Sequence, residues 1–257
     1  MIEVPIIHII SIKKGVGKTT LLKKVINKLK SRGLKVIAVK HTIHEQLDIR
    51  DRDTYKLKKA GADYVIGISR KGSAVFLEES KLEKILERLG IDRGLVLVEG
   101  FKSGPGYKLL LVEDEKVELK KIDNLIALLV KRRELAEKLK DWGVKILYYH
   151  DIEQVTSLIL ETALNHVINI LPGLNCKMCG RDTCRDFALD FLQGKVTISD
   201  CRHLRKKAVK LIVDGNEIPL GPYPSKVFKK VALALVDTLK GVPKEPKSIE
   251  LKVELST

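Results

Sequence analysis

Val4 to Lys30 reads VPIIHIISIKKGVGKTTLLKKVINKLK, and the two ends of this stretch obey different periodicities. Val4 to Ile12 is apolar and β-branched almost throughout, the composition of a strand buried on both faces. From Lys18 to Lys30, Leu21, Leu22, Val25, Ile26 and Leu29 recur at three-to-four spacing, and Lys23, Lys24, Lys28 and Lys30 fill the opposite face. That pattern predicts an amphipathic helix, with Gly33 as its stop. Between them lies Lys13-Lys14-Gly15-Val16-Gly17-Lys18-Thr19-Thr20. Glycines let a backbone curl so that successive N–H groups point at one anion, and the start of a helix adds positive potential. A strand, such a loop and a helix in this order predict a phosphate-binding loop at Gly15, Gly17, Lys18, Thr19 and Thr20. Lys18 would reach the β and γ phosphates and the Thr19 hydroxyl would ligate Mg²⁺. The full pattern carries a glycine five residues before Gly17, where this chain has Ile12.

Outward from the loop, strands and helices alternate. Strands are expected at 34–39, 62–68, 94–98, 109–112, 125–130 and 144–149, and helices at 54–60, 82–89 and 132–142. This predicts an α/β protein, a P-loop NTPase-like doubly wound sheet that is largely parallel, with a small C-terminal cysteine module and an α+β tail. Ligands of such a sheet bind beyond the carboxyl ends of its strands. Glu99 stands there, closing the strand LVLVEG, and is the candidate to position Mg²⁺ or a water. His41 and His44 follow the second strand, with Asp48, Asp51 and Asp53 close behind as further candidate Mg²⁺ ligands. A long helix over 151–170 leaves the unit. Asp214-Gly215 marks a hairpin, and a helix over 225–239 and a strand over 249–255 end the chain.

The 257 residues contain 44% hydrophobic side chains, enough to bury a sizeable core. The net charge of +15 is uneven, with +12 in residues 1–150 and +3 in the remainder. The first part is therefore where a phosphate-bearing partner is expected. With 5% aromatic residues and no groove-reading or stacking motif, nucleic acid is not the expected partner. No apolar run is long enough for a membrane span and the start does not read as a secretory signal, so a cytoplasmic location is expected.

All four cysteines lie in one segment, Cys176, Cys179, Cys184 and Cys201, spaced C-x2-C-x4-C-x16-C. In a reducing compartment clustered thiols read as metal ligands before disulfides. Four thiolates suit a tetrahedral Zn²⁺ or a 4Fe–4S cluster, and the spacing lacks the paired C-x2-C of a zinc ribbon. Lys177, Arg181 and Arg185 beside them would raise a cluster's potential or dock an acidic partner.

GVGKTTLLKKVINKL, VKHTIH, DTYKLKKAGA and LVLVEGFK, in that order, resemble the molybdopterin-guanine dinucleotide biosynthesis adaptor family of MobB type. The likeness covers residues 1 to about 165. It implies a dimeric GTP-binding P-loop protein that assists the molybdenum cofactor guanylyltransferase in attaching GMP to molybdopterin, and it places His41, Asp53 and Glu99 in the family's other motif blocks. LPGLNCKMCG, CRDFALDFLQGK and Cys201 are similar to the Fe–S module of corrinoid subunits of CO dehydrogenase/acetyl-CoA synthase and of electron-transport B subunits, which implies a 4Fe–4S cluster. The expected organisation is a GTP-binding domain over 1–155, a 4Fe–4S domain over 160–218, and a tail over 219–257 without a readable motif. There is no Asn-Lys-x-Asp element, so guanine rests on the resemblance and the residues leave adenine open. At most a slow GTPase is expected. The competing expectation is an ATP-dependent Fe–S electron-transfer or cluster-handling protein, because Lys13 resembles the lysine that partitioning and septum-site ATPases extend across a dimer.

Overall fold

A computed structural model describes residues 3–42, 53–62, 64–77, 79–114, 122–204, 209, 211–214, 216–218, 222–243, 246, 249 and 251. Residues 1–204 form one compact unit and residues 205–257 another.

In the first unit, β1 (Ile6–Ser11) is buried along its whole length and enters the loop that precedes α1 (Lys18–Ser31). β2 (Val36–Lys40), β5 (Leu95–Glu99), β6 (Tyr107–Val112), β7 (Leu125–Val130) and β8 (Ile146–Tyr148) join β1 in a six-stranded sheet of order β2-β5-β1-β6-β7-β8. All its pairings are parallel. The carboxyl ends of the strands therefore share one edge, and the Lys13–Gly17 loop stands on it. α1, α3 (Leu82–Arg88), α4 (Arg133–Leu139) and α5 (Ile152–Ile170) complete the layers. Leu21, Leu22, Val25 and Leu29 of α1 are buried, while Lys23, Lys24 and Lys28 are exposed, as the helical period demands. One core holds Ile7, Ile9, Leu97, Leu109 and the α5 stripe Val155, Ile159, Ala163 and Val167. A second core, of Ile10, Leu110, Leu128, Val130, Leu135 and Leu139, lies under α4.

The strand expected at 62–68 does not belong to this sheet. β3 (Tyr64–Ser69) pairs antiparallel with β4 (Gly72–Leu77), a strand the sequence reading omitted, and the two form a separate hairpin beside α2 (Asp53–Lys59). Val65 packs inward, whereas Tyr64, Ile66, Ile68 and Val75 on the other face are exposed. The alternation of inward and outward side chains is that of a two-faced antiparallel ribbon, whereas a central parallel strand is buried on both faces.

The connection from β5 to β6 passes over β1 with residues 100–106 alone. Parallel crossovers usually take a dozen residues or more and a helix. This strap is kept short by close backbone approach: a Cβ on Gly106 (φ 108°) would collide with the Ile6 carbonyl oxygen. His8, fully buried on β1, fills the space beneath it, with Nδ1 3.1 Å from the Gly100 oxygen and Nε2 2.7 Å from the Pro105 oxygen.

The cysteine segment belongs to the same unit. α6 (Cys184–Leu192) buries Phe187, Ala188, Phe191 and Leu192 in the core shared with α1 and α5. Its last turn is fastened to the amino edge of the sheet: the Lys35 N–H donates to the Leu192 oxygen (2.9 Å) and the Gly94 N–H to the Phe191 oxygen (3.1 Å). The second unit contains an antiparallel pair, β9 (Leu211–Val213) and β10 (Asn216–Ile218), and α7 (Pro222–Asp237). The strand expected over 249–255 lies largely outside the described residues. No helix among the described residues is long and apolar enough to cross a membrane.

Candidate functional site

At the carboxyl edge the predicted loop residues come together. Gly15 (φ 75°) and Gly17 (φ 97°) both adopt the left-handed backbone the curl requires. Lys18 turns back into the loop, and its Nζ donates to Ser11 Oγ at 2.6 Å. The Ser11 hydroxyl in turn donates to the Lys13 carbonyl at 2.5 Å. Thr19 follows on the first turn of α1, and its hydroxyl donates to Glu99 Oε1 at 2.8 Å. Lys40 Nζ, at the end of β2, stands 3.8 Å from the same carboxylate oxygen. The register explains the meeting: β5 lies between β2 and β1, with Glu99 opposite Lys40 on one side and Ile9 on the other. A hydroxyl and a carboxylate side by side at a glycine-rich helix start are the oxygen ligands a hard divalent cation takes.

Lys13 is engaged within its own chain, 2.6 Å from Asp114 Oδ2, and that hydrogen bond raises its pKa above the usual lysine value. His41 stacks on Phe101 with ring centroids 4.4 Å apart and planes 7° from parallel, and its backbone N–H donates to the Glu99 carbonyl at 3.0 Å. Asp53 begins α2, is exposed, and pairs with Lys56 at 3.5 Å. His44, Asp48 and Asp51 lie outside the described residues.

The structure adds Tyr149, which no motif singled out. It sits one residue past β8, is buried, and donates its hydroxyl to the Gly17 carbonyl at 2.9 Å. Lys131 Nζ stands 5.2 Å from its ring centroid. Gly17 is glycine for two reasons, since a Cβ there would stand 2.6 Å from the Tyr149 hydroxyl oxygen in addition to the positive φ.

No disulfide joins the four cysteines, which line one shallow hollow open to solvent together with Leu171, Pro172, Asn175 and Phe187. Local turns build it. Asn175 (φ 45°) and Lys177 (φ 59°) reverse the chain around Cys176, and the Cys184 N–H donates to Asn175 Oδ1 at 2.7 Å. Thr183 and Asp186 form a capping box at the start of α6, and Thr197 and Asp200 repeat it just before Cys201. Cys176 is exposed, Cys179 and Cys184 are half-buried, and Cys201 is buried. Among the described residues no group of three or more His, Cys, Asp and Glu side chains is arranged to hold a single metal ion.

Of the cations beside the cysteines, Lys177 and Arg181 are paired with carboxylates. Lys177 pairs with Asp182 at 3.1 Å, and Arg181 bridges Asp190 (3.0 Å) and the Cys179 carbonyl (2.7 Å). Burial pushes the Asp190 carboxyl upward, but hydrogen bonds from Lys195 and Arg181 outweigh it and hold it below the usual carboxylate value.

Residues 6–131 match the family model described as molybdopterin guanine dinucleotide synthesis protein B, and residues 171–203 match one described as "Putative Fe-S cluster". A "Putative molybdopterin-guanine dinucleotide biosynthesis adapter protein" of Methanocaldococcus jannaschii is 30% identical over 95% of both chains. The Escherichia coli adapter protein of the same name is 39% identical over 39% of this chain and 61% of its own. A solved structure of Bacillus subtilis MobB is 24% identical over 62% of this chain and 98% of its own, with a TM-score of 0.49. The Methanocaldococcus jannaschii relative matches over nearly the whole of this chain, and on that likeness the chain belongs to the MobB family of molybdopterin-guanine dinucleotide biosynthesis adapter proteins.

Proposed function

We propose that this protein is a GTP-binding adapter that serves the molybdenum cofactor guanylyltransferase as it attaches GMP to molybdopterin, and that it carries one 4Fe–4S cluster. The observation that carries the nucleotide part is the Thr19–Glu99 contact at 2.8 Å over a loop of two left-handed glycines. Lys18, now held by Ser11, swings to the β and γ phosphates. The backbone N–H groups at the start of α1 face the anion. Thr19 and Glu99 hold Mg²⁺, directly or through water. Guanine is favoured by family membership, and Lys13, the residue behind the ATP-driven alternative, is engaged by Asp114 of the same chain.

Cys176, Cys179, Cys184 and Cys201 would hold the cluster: all four line one hollow with no disulfide among them, and thiolates are the usual ligands of Fe–S clusters. When bound, such a cluster supplies one-electron chemistry or a structural staple. The chain's own part is to present the thiols on capped turns and to screen them with Leu171, Pro172 and Phe187. The homodimer is proposed to form through the exposed apolar face of the β3–β4 hairpin, where Tyr64, Ile66, Ile68 and Val75 lie uncovered.

Binding of Mg·GTP to wild type and to Lys18→Ala tests the first part. The variant loses most affinity while its melting is unchanged, and equal affinity would remove the phosphate-loop assignment. Anaerobic purification tests the second, and brown protein with about four irons per chain is expected. Colourless protein with one zinc would replace the cluster.

A further inference from the structure

We propose that Tyr149 is a positioning residue of the phosphate loop, acting on the phosphates of a bound nucleotide through the Gly17–Lys18 peptide. This rests on the nucleotide reading above and adds to it a residue that follows the edge strand β8.

The peptide between Gly17 and Lys18 is a rigid plane in which carbonyl and N–H point in opposite directions. Tyr149 pins the carbonyl side at 2.9 Å, which fixes where the Lys18 N–H points. The Gly17 oxygen already receives the first hydrogen bond of α1, from the Leu21 N–H at 3.0 Å, so the tyrosine takes its second lone pair. The peptide is thus held both along the helix axis and from the side. The lateral hold is firm because Tyr149 itself is fixed. Its N–H donates to the Val130 oxygen at 2.8 Å at the end of the β7–β8 ladder, and two residues later Asp151 caps α5 through the Gln154 N–H. The tyrosine ring is buried, with the Lys131 ammonium beside its face. The fit leaves no slack, as the 2.6 Å left to a Cβ on Gly17 shows. Phosphate loops bind by presenting N–H groups already aimed at the anion, so a contact that aims one of them contributes to affinity without touching the ligand.

Tyr149→Phe removes the hydroxyl and keeps the ring. Because the Gly17 oxygen retains its helix bond, melting of the ligand-free protein should barely move. Affinity for Mg·GTP, and for inorganic triphosphate, should fall by the same factor of about three to ten, up to the worth of the single N–H-to-phosphate hydrogen bond that loses its aim. A second measurement uses Gly17→Ala in both backgrounds. Its cost in affinity should be smaller beside Tyr149→Phe than beside the native tyrosine, because the collision partner is gone. Unchanged affinity in Tyr149→Phe, or a loss of melting temperature without a loss of affinity, would make Tyr149 an ordinary core residue and overturn the proposal. A wild-type protein that binds neither GTP nor triphosphate would instead overturn the nucleotide reading, and the proposal with it.

Discussion

Thr19 and Glu99 are eighty residues apart in sequence and 2.8 Å apart in space, joined by a hydrogen bond from the threonine hydroxyl to a carboxylate oxygen. Neither belongs to the other's element: one opens α1, the other closes β5. They meet because β5 is the parallel neighbour of β1.

That contact makes Glu99 separable from Lys18 in experiment. Glu99→Gln keeps an acceptor for Thr19 and removes the charge. Mg²⁺ titrations of GTP binding should therefore show a metal requirement shifted to higher concentration by about tenfold or more, with affinity in the presence of a chelator unchanged. Identical Mg²⁺ curves for variant and wild type would exclude Glu99 from the cation site.

The hairpin is the second place where a variant should speak clearly. Ile66 and Ile68 are on the exposed face, Ile68 at 82% of its full accessibility, and Tyr64 and Val75 adjoin them. Adjacent exposed apolar side chains of this kind make the hairpin the face to test for self-association. If this face joins two copies, as the proposed homodimer requires, the double variant Ile66→Lys, Ile68→Lys should sediment as a smaller species than the wild type at the same concentration, with Mg·GTP binding retained. A wild type that is monomeric at all concentrations would remove the hairpin as a self-association face.

His8 yields a prediction about pH. Burial is the largest influence on it and lowers its pKa below the usual histidine value of 6.5; the Pro105 and Gly100 carbonyls and the Asp123 carboxylate oppose that shift, and the Lys108 ammonium adds to it. A histidine with a lowered folded-state pKa leaves the unfolded chain holding more protons, so stability rises with pH across that interval. The contribution is complete above 6.5 and is lost as pH falls from there toward the folded value. Denaturant melts of wild type and His8→Phe at pH 7.5 and at about pH 5 should show wild type losing more stability on acidification. An equal loss in both proteins would mean that His8 does not titrate between the two states.

Much of the site could be read from the chain because its signals are local. The loop between β1 and α1 is written in consecutive residues, and a glycine at positive φ followed by Lys-Thr on an amphipathic helix has few other readings. The four cysteines are likewise confined to one segment, and their turns are set by Asn175, Thr183 and Thr197 close by. β4 escaped because GSAVFL is short and opens with small residues, and β3 was misplaced because VIGI reads alike in a parallel core and in a ribbon. Tyr149 escaped for a different reason. It carries no motif, and its partner Gly17 is 132 residues away.

From its sequence alone this chain is an α/β protein with an anion-binding loop after its first strand and four thiols gathered downstream, because periodicity, glycine placement and cysteine spacing act over a few residues. Only the tertiary structure decided that Glu99 stands beside Thr19, that Tyr149 grips Gly17, and that the cysteine segment is fastened to the amino edge of the sheet while the phosphate loop stands on the carboxyl edge. Those relations follow from the strand order β2-β5-β1-β6-β7-β8, and strand order is chosen by which buried faces pack together, a choice made between segments far apart along the chain.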